Sequence, residues 1–272
     1  MKVKRKLNKT NLILSILLVI SASLLIYSIV NIKNWKKDND STEEEIKSIY
    51  KTVSVEEVTD GETVNSENQK KESIYWSYIK MNMINVDFTD LIKQNKDTKG
   101  WIQVNGTNIN YPFVQSNDNA YYLNHSFNKK KNEAGWVFLD YRNDINNLSK
   151  NNIIYAHSRL DKTMFGSLKN ILKSNWYNDT DNHIIKLSTE TENTLWQVFS
   201  VYHIKTENYY ITTNFKNDEE FQKFIDTISS RSKLKFDATV DVNDIILTLS
   251  TCYKTDEKVV LHAKLIKKEV RN

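Results

Sequence analysis

Residues 101–112 have the sequence Trp101-Ile102-Gln103-Val104-Asn105-Gly106-Thr107-Asn108-Ile109-Asn110-Tyr111-Pro112. Apolar and polar residues alternate on both sides of Asn105-Gly106, as expected for half-buried strands. The Asn-Gly pair accommodates the positive φ angles of a tight turn, so the segment predicts a β-hairpin. Pro112 has no N–H to donate to a strand ladder, which favours an edge or extended position at the end of the hairpin.

Strand-like periodicity continues along the chain after this hairpin. Further strands are predicted at Trp136–Leu139, Asn152–Ala156, His183–Leu187, Leu195–Ile204, Ile245–Thr251 and Val259–Ile266. Helices are predicted at Lys162–Leu172 and Asp218–Ser229, and two shorter ones precede the hairpin, at Ile74–Ile79 and from Asp87 to Ile92. Many short strands without regular strand–helix alternation favour a mainly β fold, a barrel or a sandwich, over a parallel α/β sheet.

An apolar segment lies close to the N-terminus. Leu12–Val30 contains nineteen residues without a charge, which nearly spans a hydrocarbon layer of about 30 Å as a helix. We therefore predict a transmembrane anchor over residues 12–32. A cleavable signal peptide is the alternative, because Ser21-Ala22-Ser23 offers small residues. Cleavage there would leave Leu24–Val30 as an exposed apolar tail, so we favour an uncleaved anchor.

Charge along the chain suggests how this anchor is oriented. Five basic residues precede it within residues 1–9, against three lysines shortly after it. This weak bias predicts that residues 1–11 are a cytoplasmic tail and that the body of the protein lies outside the cell membrane. Residues 33–71 are rich in charged and small polar residues and are predicted to form a solvated stem. Residues 72–272 form the predicted functional domain, whose nearly balanced charge gives no indication of nucleic-acid binding.

Few residues are available for catalysis. Cys252 is the only cysteine, so an exported chain has no intramolecular disulfide and the thiol is either buried or used. Cys252 ends one predicted strand and His157 follows another, and two strand ends can present a thiol and an imidazole to one cleft. Spacing alone does not choose His157 among the five histidines, and a surface role is the alternative. No zinc-ligand spacing and no phosphate-binding loop are present, so no metal or cofactor is predicted.

Several ordered motifs are similar to those of one enzyme family. They are Gly100-Trp101-Ile102, Ile109-Asn110-Tyr111-Pro112, Gln115, Asn119, Tyr122-Leu123, Phe138-Leu139-Asp140-Tyr141-Arg142, Asn152-Ile153-Ile154-Tyr155-Ala156-His157, Met164-Phe165-Gly166-Ser167-Leu168 and Thr248-Leu249-Ser250-Thr251-Cys252. The last resembles the TLxTC active-site signature of sortases, and the others resemble class B members of that family, from about residue 70 to the end. The resemblance implies a sortase-type eight-stranded β-barrel with N-terminal helices and short inserted helices.

The same resemblance implies a cysteine transpeptidase reaction. Its substrate would be a secreted protein with a C-terminal sorting signal of the NPxTx or LPxTG type. Cys252 would attack the carbonyl of the signal's Thr and form a thioacyl enzyme, and His157 would act as general acid and then as general base. An amine of a peptidoglycan precursor, or of another protein, would resolve the thioester.

One catalytic position departs from the family pattern. Sortases usually carry an Arg on the strand after the Cys, and the alignment of that strand places Lys258 there. Lysine keeps the charge but lacks the planar, two-pronged donor of Arg. We expect Lys258 to serve in a reduced role; the alternatives are that it is a solvated charge, that another Arg such as Arg159 replaces it, or that activity is weak or lost.

The resemblance also implies substrate contacts. Thr206, Tyr210 and Ile211 match a pattern lining the class B groove, and Ser250 lies beside the cysteine in the signature strand. Ordinary core positions are the alternative for Tyr210 and Ile211. Two other functions stay open: a degenerate sortase acting as a surface-binding scaffold, or another Cys/His enzyme of peptidoglycan. Papain-like endopeptidases place the Cys before the His, whereas here His157 precedes Cys252.

Overall fold

Eight strands close into a β-barrel in the computed structural model, which describes residues 9–58, 74–205, 207–254 and 256–271, with only the backbone at 252–254. Two strands form a separate sheet: β1 (Val55–Val58) and β2 (Met83–Val86). The barrel strands are β3 (Thr98–Val104), β4 (Asn110–Val114), β5 (Phe138–Leu139), β6 (Asn151–Tyr155), β7 (Ile184–Ser188), β8 (Glu192–Lys205), β9 (Ile246–Lys254) and β10 (Glu257–Val270). The barrel order is β10-β8-β7-β3-β4-β5-β6-β9. The prediction of a mainly β, eight-stranded barrel is confirmed.

Helices flank and connect the strands. They are α1 (Lys9–Thr52), α2 (Ile74–Ile79), α3 (Thr89–Gln94), α4 (Ser174–Tyr177) and α5 (Asp218–Ser230), with short 3₁₀ turns at Tyr121–Leu123, Leu168–Leu172, Thr180–His183 and Tyr209–Ile211. The predicted helix at Asp218–Ser229 is confirmed as α5. At its start the Asn217 side chain accepts from the backbone N–H of Glu220, which caps the helix. One face of the helix is apolar and buried, as amphipathic packing requires: Phe221, Phe224, Ile225 and Ile228.

The hairpin of residues 101–112 forms as the Asn-Gly signal predicts. Gly106 has a φ of +67°, a left-handed conformation that glycine adopts without a Cβ penalty. The flanking strands pair antiparallel, with Ile102 opposite Tyr111. Trp101 on β3 is fully buried and donates its indole N–H to the Asn110 side chain at 2.6 Å.

The predicted helix over Lys162–Leu172 is wrong. Lys162 and Met164 have φ angles of +67° and +51°, which an α-helix excludes, and only Leu168–Leu172 forms a 3₁₀ turn. Met164, Phe165 and Leu168 are all fully buried. The apolar residues of this segment are spaced as in a helix, but they reach the core from a compact, irregular turn.

The polar segment after the anchor differs from the solvated stem that its composition predicts. Residues 33–52 continue α1, and Val55–Val58 form β1, which pairs antiparallel with β2. Ile49 is 2% exposed and belongs to the main core. The apolar residues Ile46, Ile49 and Val53 recur at helical spacing, and this narrow stripe suffices to dock the helix although the segment as a whole is polar. Residues 59–71 of the predicted stem lie outside the described residues.

The apolar half of α1 stands clear of the barrel. The helix is long and apolar enough to cross a membrane, and none of its most apolar stretch is buried against the rest of the protein. The predicted transmembrane helix is thus present as a candidate. The boundaries at 1–11, 12–32, 33–71 and 72–272 stay predictions.

Candidate active site

Two parallel strands bring the predicted nucleophile and base to the same end of the barrel. Strands β6 and β9 are neighbours in parallel register, and their last paired residues are Tyr155 and Ser250. The Thr251 hydroxyl donates to the Ala156 carbonyl oxygen at 2.7 Å and continues the contact by one residue. His157 lies two residues after the end of β6, at the position that corresponds to Cys252 on β9. Neighbouring strands of a sheet lie about 4.8 Å apart. The register therefore brings the two predicted catalytic positions together.

The imidazole of His157 is held by a backbone carbonyl. Its Nε2 lies 2.7 Å from the Leu123 oxygen, and because a carbonyl only accepts, Nε2 carries the proton. Nδ1 is then the nitrogen that exchanges a proton in the neutral ring. Gly135, with a φ of +61°, packs against this contact: a Cβ there would lie 2.9 Å from the Leu123 oxygen and 3.0 Å from His157 Cδ2.

Lys258 occupies a fixed place beside Cys252. In the antiparallel ladder between β9 and β10 it is the register partner of Cys252, just after a bulge at Glu257. On its other side it pairs with Ile204 of β8. Its side chain lines the same groove as His157. Lys258 thus brings a positive charge to the groove. This charge is a single ammonium, whereas the usual Arg would bring a planar guanidinium.

A groove of about 290 Å³ opens at this end of the barrel. Its lining includes His157, Lys258, Ser250, Tyr210, Ile211, Tyr155, Asn119 and Leu123. The Ser250 hydroxyl and the Tyr210 phenol lie 3.1 Å apart, and both residues are buried. Tyr210 also packs in an aromatic cluster with α5, so it is both a core residue and a groove residue. Thr206, the fourth predicted contact, lies outside the described residues.

A buried carboxylate ties the walls of the groove together. Asp140 is fully buried and accepts from the Asn119 amide at 2.9 Å and the Tyr155 hydroxyl at 3.0 Å, both groove residues. It also accepts two hydrogen bonds from the Arg142 guanidinium, at 2.7 and 2.8 Å. Burial raises the pKa of Asp140, but the hydrogen bonds from Arg142 and Asn119 outweigh burial and hold it below its ordinary value. Asp140 is therefore a carboxylate that links Asn119, Tyr155 and Arg142 by hydrogen bonds.

The opposite wall, the turn at 209–212, is anchored through its carbonyl groups. Arg142 donates to the Ile211 oxygen at 2.9 Å. The Asn151 amide donates to the Tyr210 and Thr212 oxygens at 3.0 and 2.9 Å. Since Arg142 also binds Asp140, one ion pair connects both walls of the groove.

Comparison with known proteins decides the family. Residues 102–266, more than half of the chain, match the Sortase domain family. Sortase B of Staphylococcus aureus (strain NCTC 8325 / PS 47) is 40% identical over 184 residues, covering 66% of this chain and 75% of that protein. Sortase B of Listeria monocytogenes serovar 1/2a is 36% identical over 186 residues, covering 67% and 75%. The chain belongs to the class B sortases.

Solved structures agree with this assignment. The Staphylococcus aureus sortase B–substrate complex matches this sortase with a TM-score of 0.62 at 40% identity, over 66% of this chain and 84% of that one. A sortase B structure from Bacillus anthracis matches with a TM-score of 0.67 at 33% identity, over 87% and 99%. This sortase is accordingly a cysteine transpeptidase with a role in the cell wall.

Other candidate residues of this sortase lie elsewhere. His183 and His262 are buried, and His125 stacks on Tyr121 outside the groove. Arg159, the alternative to Lys258, is absent from the groove lining and binds Asp161, Thr163 and Asn39. Among the histidines in the described part of the chain, His157 is the one that lines the groove.

His262 instead belongs to a buried hydrogen-bond chain beneath the groove of the sortase. The Thr248 hydroxyl donates to Asn151 Oδ1 at 2.6 Å, so it accepts from His262 Nδ1 at 2.8 Å. His262 Nε2 accepts from the Tyr202 hydroxyl at 2.8 Å. Burial lowers the pKa of His262 to about 3. The ring is therefore neutral and supports Asn151, the residue that anchors the 209–212 turn.

Sequence reasoning did not assign Asn119, Leu123 and Tyr155 to the groove of the sortase, nor Asp140 and Arg142 to its support. All five stand within segments that carry the family resemblance. The signal that could have found them is polarity inside otherwise apolar strands: Asp140 follows the buried pair Phe138-Leu139, where an acid requires partners.

Proposed function

We propose that this sortase cleaves C-terminal sorting signals of the NPxTx or LPxTG type through Cys252. The Cys252 sulfur bonds to the carbonyl carbon of the signal's Thr, the C–N bond breaks, and the released amine takes a proton. An incoming amine then bonds to the same carbon, the S–C bond breaks, and the thiolate leaves. Two thioester steps thus replace one direct amide exchange. The observation that supports the proposal is the β6–β9 register, in which the strands that lead to His157 and Cys252 run side by side in parallel, together with the place of His157 in the groove lining.

In the proposed reaction His157 moves the proton. The Leu123 carbonyl engages Nε2, so Nδ1 takes the proton of the Cys252 thiol, gives it to the leaving amine, and later takes a proton from the incoming amine, which returns to the thiolate when the S–C bond breaks. Lys258 stabilises the negative charge that develops on the Thr carbonyl oxygen and helps to hold the peptide. One ammonium replaces the guanidinium fork, so we expect a weaker contribution than from Arg.

The groove supplies the proposed peptide site. Ser250, Tyr210 and Ile211 line it together with Tyr155 and Asn119, and Thr206 stays a predicted contact. A sortase B–substrate complex and a sortase B complex with triglycine are known for relatives of 40% identity. These support a peptide substrate and an amine acceptor, which for this chain we propose to be a peptidoglycan precursor amine.

Membrane attachment completes the proposal. Helix α1 is the candidate span, and the basic residues at 1–9 favour an inside N-terminus. We accordingly propose a single-pass protein whose catalytic domain lies outside the cell membrane. Secreted proteins would meet it there after export.

The test uses the full-length chain in detergent with a panel of sorting-signal peptides. Intact-mass spectrometry should detect a thioacyl adduct that is absent in Cys252→Ala, while Lys223→Ala, an exposed change on α5, should retain it. Circular dichroism checks that each variant is folded. Failure of every peptide to form an adduct with a folded protein would favour the degenerate-scaffold function that Lys258 suggests. Release of muropeptides from purified peptidoglycan would instead indicate a hydrolase.

A further inference from the structure

A second cavity, of about 500 Å³, shares His157 with the groove but is otherwise lined by different residues. One side is formed by α1 through Asn31, Asn34, Trp35 and Asp38. The other side is formed by the barrel through Glu133, Ser158, Arg159 and Leu160. The helix that carries the candidate membrane span therefore also borders the predicted catalytic histidine.

Helix α1 is clamped to the barrel on this side. Asp38 accepts from the backbone N–H of Glu133 at 3.2 Å, and its own carbonyl accepts from the Asn132 amide at 3.2 Å. One residue further on, Asn39 accepts from Arg159. Thr42 and Ile49 are then buried against the barrel. The barrel consequently has a defined orientation relative to the helix axis, with the His157 side next to the apolar segment.

The cavity reaches the level at which the helix leaves the apolar layer. Asn31 directly follows the uncharged run Leu12–Val30, and Asn31 to Trp35 spans about 6 Å along the axis. The headgroup region of a bilayer is about 5–7 Å thick on each side. Barrel residues that share a cavity with Asn31 and Trp35 must therefore lie at headgroup depth whenever the run spans a bilayer.

The side chains around the cavity mouth suit that depth. Leu160 is 85% exposed and Trp35 is 55% exposed, and tryptophan is enriched at membrane interfaces. Exposed lysines lie nearby in the chain, at positions 33, 36 and 37 on α1 and at 162 on the loop, although none of them lines the cavity itself. Three acidic residues lie close by: Asp161 is paired with Arg159, and Asp38 and Glu133 line the cavity, where Asp38 accepts from the backbone N–H of Glu133. Basic side chains around apolar tips favour the surface of a bilayer that contains anionic lipids.

We propose that this face docks on the bilayer that holds α1, with Trp35 and Leu160 in the headgroup layer. The proposal rests on the proposed membrane anchor. It gives His157 a second, membrane-facing approach through the cavity, besides the groove where we propose that the sorting peptide binds. The occupant of the face is the phospholipid surface itself.

The test measures how close a label at Leu160 lies to lipid headgroups. The full-length chain carries Cys252→Ser, so that one introduced cysteine is the only thiol, at Leu160→Cys, Trp35→Cys or Lys223→Cys. Each variant is labelled with a small fluorophore and reconstituted into nanodiscs of phosphatidylcholine and phosphatidylglycerol, with or without a headgroup nitroxide quencher. All three positions are exposed, so labelling should not disturb packing.

Docking predicts at least threefold quenching at 160 and at 35, and less than 1.5-fold at 223 on α5. Quenching at 35 with none at 160 overturns the docked face while keeping the anchor. No quenching at 35 or at 160 shows that the proposed anchor is wrong, and the docked face is rejected with it. Equal quenching at all three positions means non-specific adsorption and also overturns the proposal.

Discussion

Lys258 is the register partner of Cys252 in the antiparallel ladder between β9 and β10. Directly opposed residues of an antiparallel pair have Cα atoms about 4.5–5.5 Å apart. The ladder, rather than a flexible loop, therefore sets the distance between the predicted nucleophile and the predicted cation. This relationship makes the role of Lys258 open to direct measurement.

Replacing Lys258 by Ala should lower kcat/KM for a sorting peptide by about 100-fold, the lower end of the usual loss when a donor to a developing oxyanion is removed, because one ammonium contributes less than a guanidinium. Lys258→Arg should equal or exceed the unsubstituted enzyme, because it restores the forked donor. Lys223→Ala on α5 controls for loss of a surface charge. Unchanged cleavage in Lys258→Ala would show that the role we give to Lys258 is wrong.

Gly135→Ala should displace the His157 ring. The added Cβ would lie 2.6 Å from the Tyr122 oxygen and 3.0 Å from His157 Cδ2, and a left-handed φ costs a non-glycine residue about 1–2 kcal/mol. We expect the free energy of unfolding to fall by about 1–2 kcal/mol. The rate of peptide cleavage should fall at least tenfold, measured at a temperature where the protein is folded.

Gly106→Ala is the matched control for this experiment, because it has nearly the same φ but contacts Asn182, away from the groove. It should lose at least comparable stability in denaturant titrations while keeping cleavage within about twofold, since the left-handed φ and the contact with Asn182 both lie away from the groove. Equal losses of activity in both variants would contradict a specific effect on His157.

Asp140→Asn should weaken both the fold and peptide binding. Asp140 is buried but the Arg142 side chain is 32% exposed, so the loss comes from weakened buried hydrogen bonds and should be about 1–3 kcal/mol. The loosened walls should raise KM more than they lower kcat. The exposed Asp144→Asn, near Asp140 in the chain, should cost less than about 0.5 kcal/mol. Urea titrations and initial rates measure both effects.

The pH dependence of this loss has a defined sign. The pKa of Asp140 is lowered in the folded state, so its contribution to stability is present above the unfolded pKa of about 4 and is lost as pH falls through the folded value. The difference between the unsubstituted protein and Asp140→Asn should therefore shrink below about pH 4. A constant difference down to pH 2 would mean that the charge of Asp140 is not what stabilises the fold.

His262 should make the protein lose stability at a higher pH than Asp140 does. Its pKa is about 3 in the fold against about 6.5 unfolded, so the unfolded state binds the proton first. Stability is complete above pH 6.5 and should fall by up to about 1.4 kcal/mol per pH unit below it. His262→Gln, which keeps a hydrogen-bonding side chain, should lack this component. The same slope in both proteins between pH 6.5 and 4 would contradict a neutral His262.

Local sequence patterns predicted most of the elements that build the barrel. The Asn105-Gly106 turn and the apolar face of α5 depend on residues close together in the chain. Their backbone preferences and apolar spacing can be read from the sequence alone. The TLxTC-like segment singled out Cys252, and the apolar run at 12–30 singled out the candidate anchor. Each of these signals is contained within one element.

The parallel pairing of β6 with β9 was decided only by the tertiary structure, because it joins strands almost a hundred residues apart. No local preference encodes which strands become neighbours. The same holds for Asp140, whose partners Asn119, Tyr155 and Arg142 satisfy a buried charge only after the barrel has closed. Composition predicted a solvated stem where α1 docks, since the burial of Ile49 depends on a surface formed by other elements. Residue identities thus determined the strands and the candidate chemistry, whereas long-range packing decided which of those residues meet.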